Sequence, residues 1–555
     1  MAPEARGASL SEKSAGSSVD SDFFTSWLSR YSDGLVACTL GSAALIIRLY
    51  LIATSYCISA DGVAYIAMAR EFYAGNTRRA LAWVFSPLYP WLISLVFPLT
   101  ANWELAGELL SLFFGTATVV LLYYLMRELF ERRAVAAESA ALAAIHPLLA
   151  ALAASVRTEA GYMALLTAST LLFVRAVRLR RLALVAAAGV VCGFAYLYRT
   201  EGIGVPVVLV SVLLAGGFVW RQWSPRWGPL AAAVLALTFT AISSPYLLWM
   251  RSSSGRWIVS RELGVVTMEA TGAATGQLER MRELGYRPGS SWLGAVRLNP
   301  AAYVKKVGRD FVGSCSSFVR AMDPFLFAAL VVGLWMRGKT IAARWAEATL
   351  ALLVGTYFIG FVLTDTGPRL MIHVALLTFG WAVIGLETVA LWLKSSFSAS
   401  HPVLRRVRWG WTVAGVIALT MLPRTLWPLG YDQRGMRYAG AEIIRYDAGK
   451  AVVAGPDVRA AYYADAGFIR LPGRPAGQTI CGWLAEHRAA NYLMIDGGEE
   501  RRWGVSGRIP CLSLVQRYPR VGRTYYDLFA VRGTTATAPH GATHGNEGGG
   551  GARAR

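Results

Sequence analysis

Residues 182–220 read LALVAAAGVVCGFAYLYRTEGIGVPVVLVSVLLAGGFVW, two apolar runs that are separated by the short polar tripeptide Arg199-Thr200-Glu201. Each run is about 17 residues or longer, which is enough for an α-helix to cross the hydrocarbon core of a bilayer. Inside that core, only helices and closed barrels satisfy their own backbone hydrogen bonds. The stretch therefore predicts two membrane helices that meet in a short turn at one membrane surface.

Similar apolar runs recur along most of the chain, and 55% of its 555 residues are apolar while only 16% are charged. Soluble domains carry about 25% charged residues, so the composition excludes an ordinary soluble enzyme. We predict a polytopic α-helical membrane protein of about 11 transmembrane helices. These predicted spans are Leu35–Tyr56, Leu105–Met126, Ala134–Ser155, Ala160–Val174, Leu182–Tyr198, Gly202–Trp220, Gly228–Met250, Phe325–Met336, Ala346–Thr364, Leu370–Leu393 and Trp409–Leu429.

The net charge of +21 reflects topology rather than nucleic-acid binding. Sixteen Lys and Arg residues fall in five alternate connections, whereas the short connections on the other side carry only Arg157, Arg199 and Arg369. Basic connections stay in the cytoplasm. We therefore expect a cytoplasmic N-terminus and an extracytoplasmic C-terminal domain. The basic connections are Arg127–Arg133, Arg175–Arg181, Arg221–Arg226, Arg337–Arg344 and Lys394–Arg408.

Hydropathy divides the chain into four predicted parts. They are a disordered cytoplasmic tail at 1–33, a transmembrane domain at 34–430, an outer soluble α/β domain at 431–532 and a disordered tail at 533–555. The transmembrane domain has two long outer loops, 57–100 and 251–321. In the first loop, Asp61–Tyr73 and Pro87–Leu99 are half-apolar helices too short to span, which favours a position in the membrane interface.

The predicted outer domain alternates short strands and helices. The strand candidates are Ala451–Ala454, Tyr492–Ile495 and Asp527–Val531, and the helix candidates are Met436–Tyr446, Asp457–Ala464 and Ile480–Arg488. Cys481 and Cys511 both fall in this domain, where an oxidising compartment permits a disulfide. Spacing alone leaves two unpaired thiols equally open.

The chemical signal is a set of acids and arginines at the predicted outer surface. Asp61 follows the first span, and Arg-Thr-Glu occurs twice, at 157–159 and 199–201, each copy followed closely by a glycine. A fourth outer turn pairs Asp365 with Arg369. Charges at an apolar boundary are unfavourable unless they are paired or functional. A ring of such charges indicates an active site for an anionic, hydroxyl-rich substrate.

Each of these charged residues, considered alone, also has a purely structural interpretation. An Arg/Glu pair at a helix end is often a capping ion pair, and Asp61 suits the N-terminus of the helix that follows it. Arg48 and His146 lie inside predicted spans, where burial and hydrogen bonding explain them, and His146-Pro147 is typical of a helix kink. The six histidines show no metal-binding spacing.

Three segments carry a resemblance to a known family. They are Asp61-Gly62-Val63-Ala64-Tyr65, Ala69-Arg70-Glu71-Phe72-Tyr73-Ala74-Gly75 and Ser86-Pro87-Leu88-Tyr89-Pro90. The chain resembles the GT-C class of membrane glycosyltransferases. The nearest branch is the glycosyltransferase-39-like one, which holds protein mannosyltransferases and lipid A aminoarabinose transferases. The resemblance covers about residues 35–395 and is most specific over 48–100.

The resemblance implies inverting transfer of a sugar from a polyprenyl-phosphate-linked donor to an acceptor hydroxyl. A lipid-linked donor agrees with an outward-facing site, because nucleotide sugars are cytoplasmic. By this likeness, Asp61 is the general base. The resemblance also implies that Arg199 and Arg369, with Arg157 behind them, bind the donor phosphate. Glu159 and Glu201 would orient these arginines or contact the sugar. Tyr65 and Tyr89 would line the path of the sugar or lipid.

Two departures from the family pattern leave questions open. Gly62 stands where many relatives carry a second acid, so we predict no cofactor, while a role for a divalent metal stays open. Leu370 follows Arg369 where relatives often have Tyr. Expected partners are the lipid-linked donor, membrane lipid and a glycan, lipid or protein acceptor in a bacterial inner membrane. The alternatives are a transporter or flippase of a lipid-linked anionic glycan, or an O-antigen-type ligase or polymerase.

Overall fold

The structure is a computed structural model of the 555-residue chain. It describes residues 30–532 except 277–280, 282–283, 286–289, 399–406, 448, 474–477, 506–508 and 520–524. The predicted tails therefore lie outside the described residues, except for residues 30–33. Asp33 already belongs to the first helix.

Helices make up the described chain before residue 430. They are α1 (Asp33–Ala53), α2 (Ala60–Tyr73), α3 (Thr77–Leu81), α4 (Leu88–Thr100), α5 (Trp103–Phe130), α6 (Arg133–Ile145), α7 (Pro147–Ala153), α8 (Glu159–Leu179), α9 (Leu182–Tyr198), α10 (Gly204–Val219), α11 (Trp227–Ser254), α12 (Arg261–Thr275), α13 (Trp292–Leu298), α14 (Pro300–Met322), α15 (Pro324–Ile341), α16 (Trp345–Leu363), α17 (Pro368–Ser398) and α18 (Trp409–Thr425). A 3₁₀ turn, Thr200–Ile203, joins α9 to α10.

The structure confirms a polytopic helical protein, and every predicted span overlaps a helix. Among the described residues, seven helices are long and apolar enough to cross a membrane, or up to nine spans if each of two bent pairs counts as one. The predicted number of eleven is thus not established. One predicted span, Ala134–Ser155, is bent, because α6 and α7 meet at 63°. A second bend of 103° lies between α14 and α15, just before the predicted span Phe325–Met336.

The first bend lies at His146-Pro147, as the sequence predicts. Pro147 has no N–H to bond the carbonyl of Ala143. The Arg48 guanidinium takes its place and donates to the carbonyls of Ala143 and Ala144, both at 3.3 Å. Arg48 is therefore buried because it satisfies a broken helix inside the bundle.

The predicted polar loop 251–321 is mostly helical in its described part, and the second bend lies at its end. Asp323 has a φ of 78° and caps α15 by accepting a hydrogen bond from the N–H of Phe325 at 3.1 Å. Arg424 pairs with the same carboxylate at 2.5 Å. Helix α14 thus meets α15 at a steep angle and packs its polar face against the turn between α16 and α17, where the Ser314 hydroxyl donates to Thr366 Oγ1 at 3.1 Å.

The C-terminal part is a small α/β domain around a five-stranded mixed sheet. Its strand order is β2-β1-β3-β5-β4, with β1 parallel to β2 and β3, and β5 antiparallel to β3 and β4. The elements are α19 (Arg434–Asp447), β1 (Val452–Gly455), α20 (Arg459–Tyr463), β2 (Gly467–Arg470), α21 (Ile480–Glu486), β3 (Tyr492–Asp496), α22 (Gly497–Trp503), β4 (Leu512–Pro519) and β5 (Tyr525–Val531). The structure joins Cys481 and Cys511 in a disulfide, with their Cα atoms 5.7 Å apart.

The three predicted strands match β1, β3 and β5, whereas the sequence did not indicate β2 and β4. Both missed strands lie at the two edges of the sheet. β2 is half-buried or exposed along its length, and β4 has an irregular register between Leu514 and Gln516. Neither strand therefore shows the continuous apolar run or clean alternation that identifies a strand in sequence.

Candidate active site

Asp61 lies in the first turn of α2, directly above the transmembrane bundle. Ser59 caps this helix, since its hydroxyl accepts a hydrogen bond from the N–H of Gly62 at 3.0 Å. The same hydroxyl donates to the carbonyl of Val156 at 3.0 Å, which ties the start of α2 to the turn that carries Arg157. A helix N-terminus favours negative charge, so it stabilises the Asp61 carboxylate.

Two arginines from distant turns contact the Asp61 carboxylate. Arg157 Nη1 lies 3.7 Å from Asp61 Oδ2, and Arg369 Nη1 donates to the same oxygen. The Asp61 side chain is 32% exposed, and that of Arg369 is 41% exposed. The structure thus brings together three of the predicted outer connections at one accessible carboxylate.

A second layer of charge lies beneath this pair. Arg369 Nε is 3.1 Å from Glu159, and Arg199 is 3.4 Å from Glu159 and 2.7 Å from Glu201. Arg199 also donates to the Thr158 hydroxyl at 2.8 Å. Arg199 is buried by these contacts, so the two arginines that face the accessible side are Arg369 and Arg157. The Arg157 side chain is thus more exposed than that of Arg199, and the predicted roles of both in binding a donor phosphate stay predictions.

The glycines after the two Arg-Thr-Glu tripeptides permit close packing of this layer. A Cβ on Gly161 would lie 2.1 Å from the Tyr198 ring, and one on Gly202 would lie 2.6 Å from the backbone of Ala195 and Tyr196. Any larger residue at either position would push the turn outward. The repeated tripeptide thus holds its charges at a fixed depth because a glycine follows each copy.

Tyr65 and Tyr89 lie behind the charges rather than on an open surface. The Tyr65 hydroxyl is 3.4 Å from Thr158 Oγ1, and the Tyr65 ring packs edge-on against Tyr89 at 5.4 Å. The Tyr89 hydroxyl is 3.0 Å from both the Gly107 carbonyl and the Ser111 hydroxyl, and its side chain is fully buried. The predicted lining role fits Tyr65 better than Tyr89, which supports the wall of the site.

Sequence reasoning missed Glu262, in the first turn of α12. Burial, together with the Glu201 and Asp61 carboxylates and against the opposing charges of Arg199 and Arg369, raises the pKa of Glu262 to about 8. The carboxyl is therefore mostly neutral at pH 7 and lies within electrostatic reach of the four named residues of the cluster. In sequence, an acid in the first turn of a helix is indistinguishable from an ordinary cap.

His373 is a second residue that the sequence did not single out. It lies one turn after Arg369 on α17, is fully buried, and packs edge-on against Tyr162 at 4.9 Å. Neither of its ring nitrogens has a hydrogen-bond partner in the described part of the chain. The sequence feature that could have identified His373 is its spacing of four residues from Arg369, which puts both side chains on one helix face.

Several polar atoms of the cluster also have no hydrogen-bond partner among the described residues. They are Arg157 Nη1, Glu159 Oε1, Arg199 Nε and Glu201 Oε2. Two of these atoms make ion pairs, since Glu159 Oε1 lies 3.1 Å from Arg369 Nε and Arg157 Nη1 lies 3.7 Å from Asp61 Oδ2. All four keep hydrogen-bonding capacity that water or a bound ligand can use. Among the residues that the structure describes, no group of three or more His, Cys, Asp or Glu side chains is placed to hold a metal ion.

Comparisons with known proteins agree with this architecture. Residues 85–249 match the sequence model of the family described as dolichyl-phosphate-mannose-protein mannosyltransferase. The structure of ArnT from Cupriavidus metallidurans bound to undecaprenyl phosphate superposes with a TM-score of 0.52 at 14% identity, covering 92% of this chain and 100% of ArnT. No protein of curated function is a significant match.

A second structural match comes from the archaea. The oligosaccharyltransferase AglB from Archaeoglobus fulgidus, in complex with an inhibitory peptide and a dolichol-phosphate, superposes with a TM-score of 0.53 at 14% identity. The match covers 90% of this chain and 74% of AglB. At such low identity the structural matches establish the fold. Together with the family match, they confirm the predicted resemblance: the chain has the fold of the GT-C class of membrane glycosyltransferases.

Proposed function

We propose that this protein transfers a sugar from a polyprenyl-phosphate-linked donor to an acceptor hydroxyl with inversion at the anomeric carbon. The observation that carries the proposal is the accessible Asp61 carboxylate held between Arg157 and Arg369. A carboxylate supplies a general base, and guanidinium groups supply charge-assisted donors to a phosphate. The site thus combines the two groups that displacement of a sugar phosphate requires.

In the proposed step, the acceptor hydroxyl attacks the anomeric carbon and gives its proton to Asp61. A new glycosidic C–O bond forms while the bond between the anomeric carbon and the phosphate oxygen breaks. The bonding electrons leave with the polyprenyl phosphate, whose second negative charge Arg369 and Arg157 stabilise. Donors that are already positioned where charge develops give a large part of such catalysis.

The contacts within the cluster also support an order of events. Arg369 and Arg157 both contact Oδ2 of Asp61 and thereby engage one of its two carboxylate oxygens. An arriving phosphate competes for both arginines, since bidentate arginine–phosphate pairs are strong. Their transfer to phosphate frees Asp61 to accept a proton. Glu159 and Arg199 lie beneath Arg369 and hold its position during the exchange.

The class of donor is supported by the fold relatives, since ArnT and AglB were solved with undecaprenyl phosphate and dolichol-phosphate. We propose that the N-terminus lies in the cytoplasm and the site outside; the basic connections support this orientation, because such connections favour the cytoplasmic side. A polyprenyl chain would reach this site from within the bilayer. We propose a bacterial inner membrane as the location and a cell-envelope glycan, glycolipid or protein as the acceptor.

The test is mass spectrometry of surface glycans, glycolipids and proteins from a strain that lacks the gene. The strain is complemented with wild type or Asp61→Asn at matched membrane levels. We expect one discrete sugar mass to vanish in the deletion and to return only with wild type, which also identifies sugar and acceptor. Full restoration by Asp61→Asn would overturn the proposed base, and failed export of a lipid-linked glycan with transfer chemistry intact would favour the transporter.

A further inference from the structure

The C-terminal domain contacts the short segment that leads to Asp61. The N–H of Tyr56 donates to the Leu429 carbonyl at 2.8 Å, and the Tyr56 ring packs edge-on against Tyr431 at 5.4 Å. Between these contacts, Gly430 has a φ of 66°, and a Cβ there would lie 2.8 Å from the backbone N and O of Cys57. Segment 56–58 therefore lies directly against the start of the C-terminal domain.

A single tyrosine hydroxyl extends this contact to the next residue. Tyr463, at the end of α20, accepts a hydrogen bond from the N–H of Ile58 at 2.7 Å. The same hydroxyl donates to the Glu104 carboxylate, 3.2 Å away at the start of α5. Its ring packs against the core of the sheet domain. Tyr463 thus joins the C-terminal domain, the Asp61 segment and the transmembrane bundle.

The position of Ile58 in turn determines the position of the proposed base. Ile58 is buried and directly precedes Ser59, whose hydroxyl caps α2 and holds the Val156 carbonyl. Asp61 follows two residues after Ser59, and Arg157 follows Val156. A change in the Ile58 backbone would therefore move the carboxylate and one of its arginines together.

We propose that Tyr463 is a positioning residue and that the C-terminal domain fixes the active-site geometry through it. The proposal rests on the function proposed above, because it assigns Tyr463 an effect on Asp61. The domain then has a role in transfer itself. Phe at this position would keep the ring packing while leaving the Ile58 N–H and the Glu104 carboxylate without their partner, so the segment that carries Asp61 would loosen.

The first experiment is amide hydrogen exchange of the purified full chain, which requires no substrate. Tyr463→Phe is expected to raise the exchange rate of peptides covering residues 54–66 at least threefold, with unchanged exchange in α16 and in the sheet. The control is Tyr462→Phe, because the Tyr462 hydroxyl has no hydrogen bond among the described residues. Unchanged exchange at 54–66 in Tyr463→Phe would overturn the proposal, as would a uniform rise across the whole chain.

The second experiment measures the amount of sugar product in the complemented strain. Tyr463→Phe is expected to lower it five- to twentyfold at matched membrane levels, and Tyr462→Phe to leave it unchanged. Glu104→Gln keeps an acceptor for the Tyr463 hydroxyl and should retain activity, whereas Glu104→Leu removes one of the two hydrogen bonds of that hydroxyl and should lower activity, though less than Tyr463→Phe.

The outcomes separate the two proposals. An inactive Asp61→Asn together with a fully active Tyr463→Phe overturns the positioning role alone. An active Asp61→Asn overturns the proposed function, and the hydrogen-exchange result then still decides whether Tyr463 holds the segment. Equal losses in Glu104→Gln and Glu104→Leu would show that the charge of Glu104, rather than its hydrogen bond to Tyr463, is what matters, which also contradicts the proposal.

Discussion

Helix α16 runs between two charged clusters that lie in different surroundings. At its start, Glu347 accepts hydrogen bonds from Arg337 at 3.3 Å and from Trp381 Nε1 at 3.2 Å, and Arg344 lies 3.2 Å away. Its side chain is fully buried. Sixteen residues further, or about 24 Å at 1.5 Å per residue, the turn after α16 leads to Arg369 and the Asp61 cluster.

The comparison separates a structural network from a candidate site. Every buried polar side-chain atom of Glu347, Arg337 and Trp381 has a hydrogen-bond partner in the described chain. By contrast, Arg157, Glu159, Arg199 and Glu201 each have one buried polar atom without such a partner there. A buried carboxylate that only stabilises a fold has its oxygens hydrogen-bonded by neighbouring donors. Asp61 and Arg369 are partly exposed, and the residues around them keep buried polar atoms with no hydrogen-bond partner in the described chain, which is an arrangement that a ligand can complete.

The largest contrast is expected between Asp61→Asn and Glu347→Gln in the same transfer assay. Loss of a general base should lower product per folded molecule by about 100-fold or more. Glu347→Gln should leave it within about twofold, because Glu347 lies at the opposite end of α16 from the turn that leads to Arg369. The measurement is product formed per protein that elutes as a monodisperse peak in detergent. Similar losses in both variants would break the distinction drawn above.

Loss of the Glu347 carboxylate, which is expected to change activity little, should lower the stability of the fold strongly. Glu347→Ala leaves Arg337 and Arg344 without their buried carboxylate, and removal of one partner of a buried pair is destabilising by about 3–5 kcal/mol. The apparent unfolding temperature in detergent should fall clearly. The matched control is Glu131→Ala, which removes an exposed carboxylate 3.7 Å from the same Arg344 and should change that temperature little. An equal decrease in both variants would contradict the prediction.

Arg369 should show the importance of guanidinium geometry. It contacts Asp61 and Glu159 through different nitrogens, which one lysine ammonium cannot reproduce. We expect Arg369→Lys to lower the initial transfer rate about tenfold and Arg369→Ala about 100-fold, as for removal of a preorganised charge donor. Arg178→Lys is the control, since Arg178 contacts Glu128 and Glu131, near the same end of α16 as Glu347. Full activity of Arg369→Ala would exclude Arg369 from phosphate stabilisation.

The smallest expected effect is on pH dependence. Burial and neighbouring carboxylates raise the pKa of Glu262 to about 8, so the group is neutral below that pH and ionises as the pH rises through it. Ionisation adds negative charge to a site proposed to bind a phosphate. Wild-type activity should therefore fall about two- to threefold between pH 7 and 9, screened in part by salt. Glu262→Gln should lack this decrease, and an identical alkaline decrease in the variant would exclude Glu262 as its cause.

Local sequence features predicted much of the fold. The apolar runs located a helix at each proposed span because a bilayer-crossing helix must carry its apolar residues in one continuous segment. Pro147 predicted the first bend because proline removes a backbone donor. The bend at Asp323 was not predicted, because it depends on a positive φ at a residue that the Arg424 side chain holds from a distant helix.

The candidate site was predicted in its members but not in its arrangement. The sequence determined that acids and arginines recur at turns on one side of the bundle, since charge is excluded from the apolar runs. Only the tertiary structure decided that Arg157 and Arg369 reach Asp61 while Arg199 is buried beneath them, and that Glu262 and Tyr463 lie near the same segment. Such contacts join residues up to 405 positions apart. They follow from how the helices pack, which no local pattern of side chains encodes.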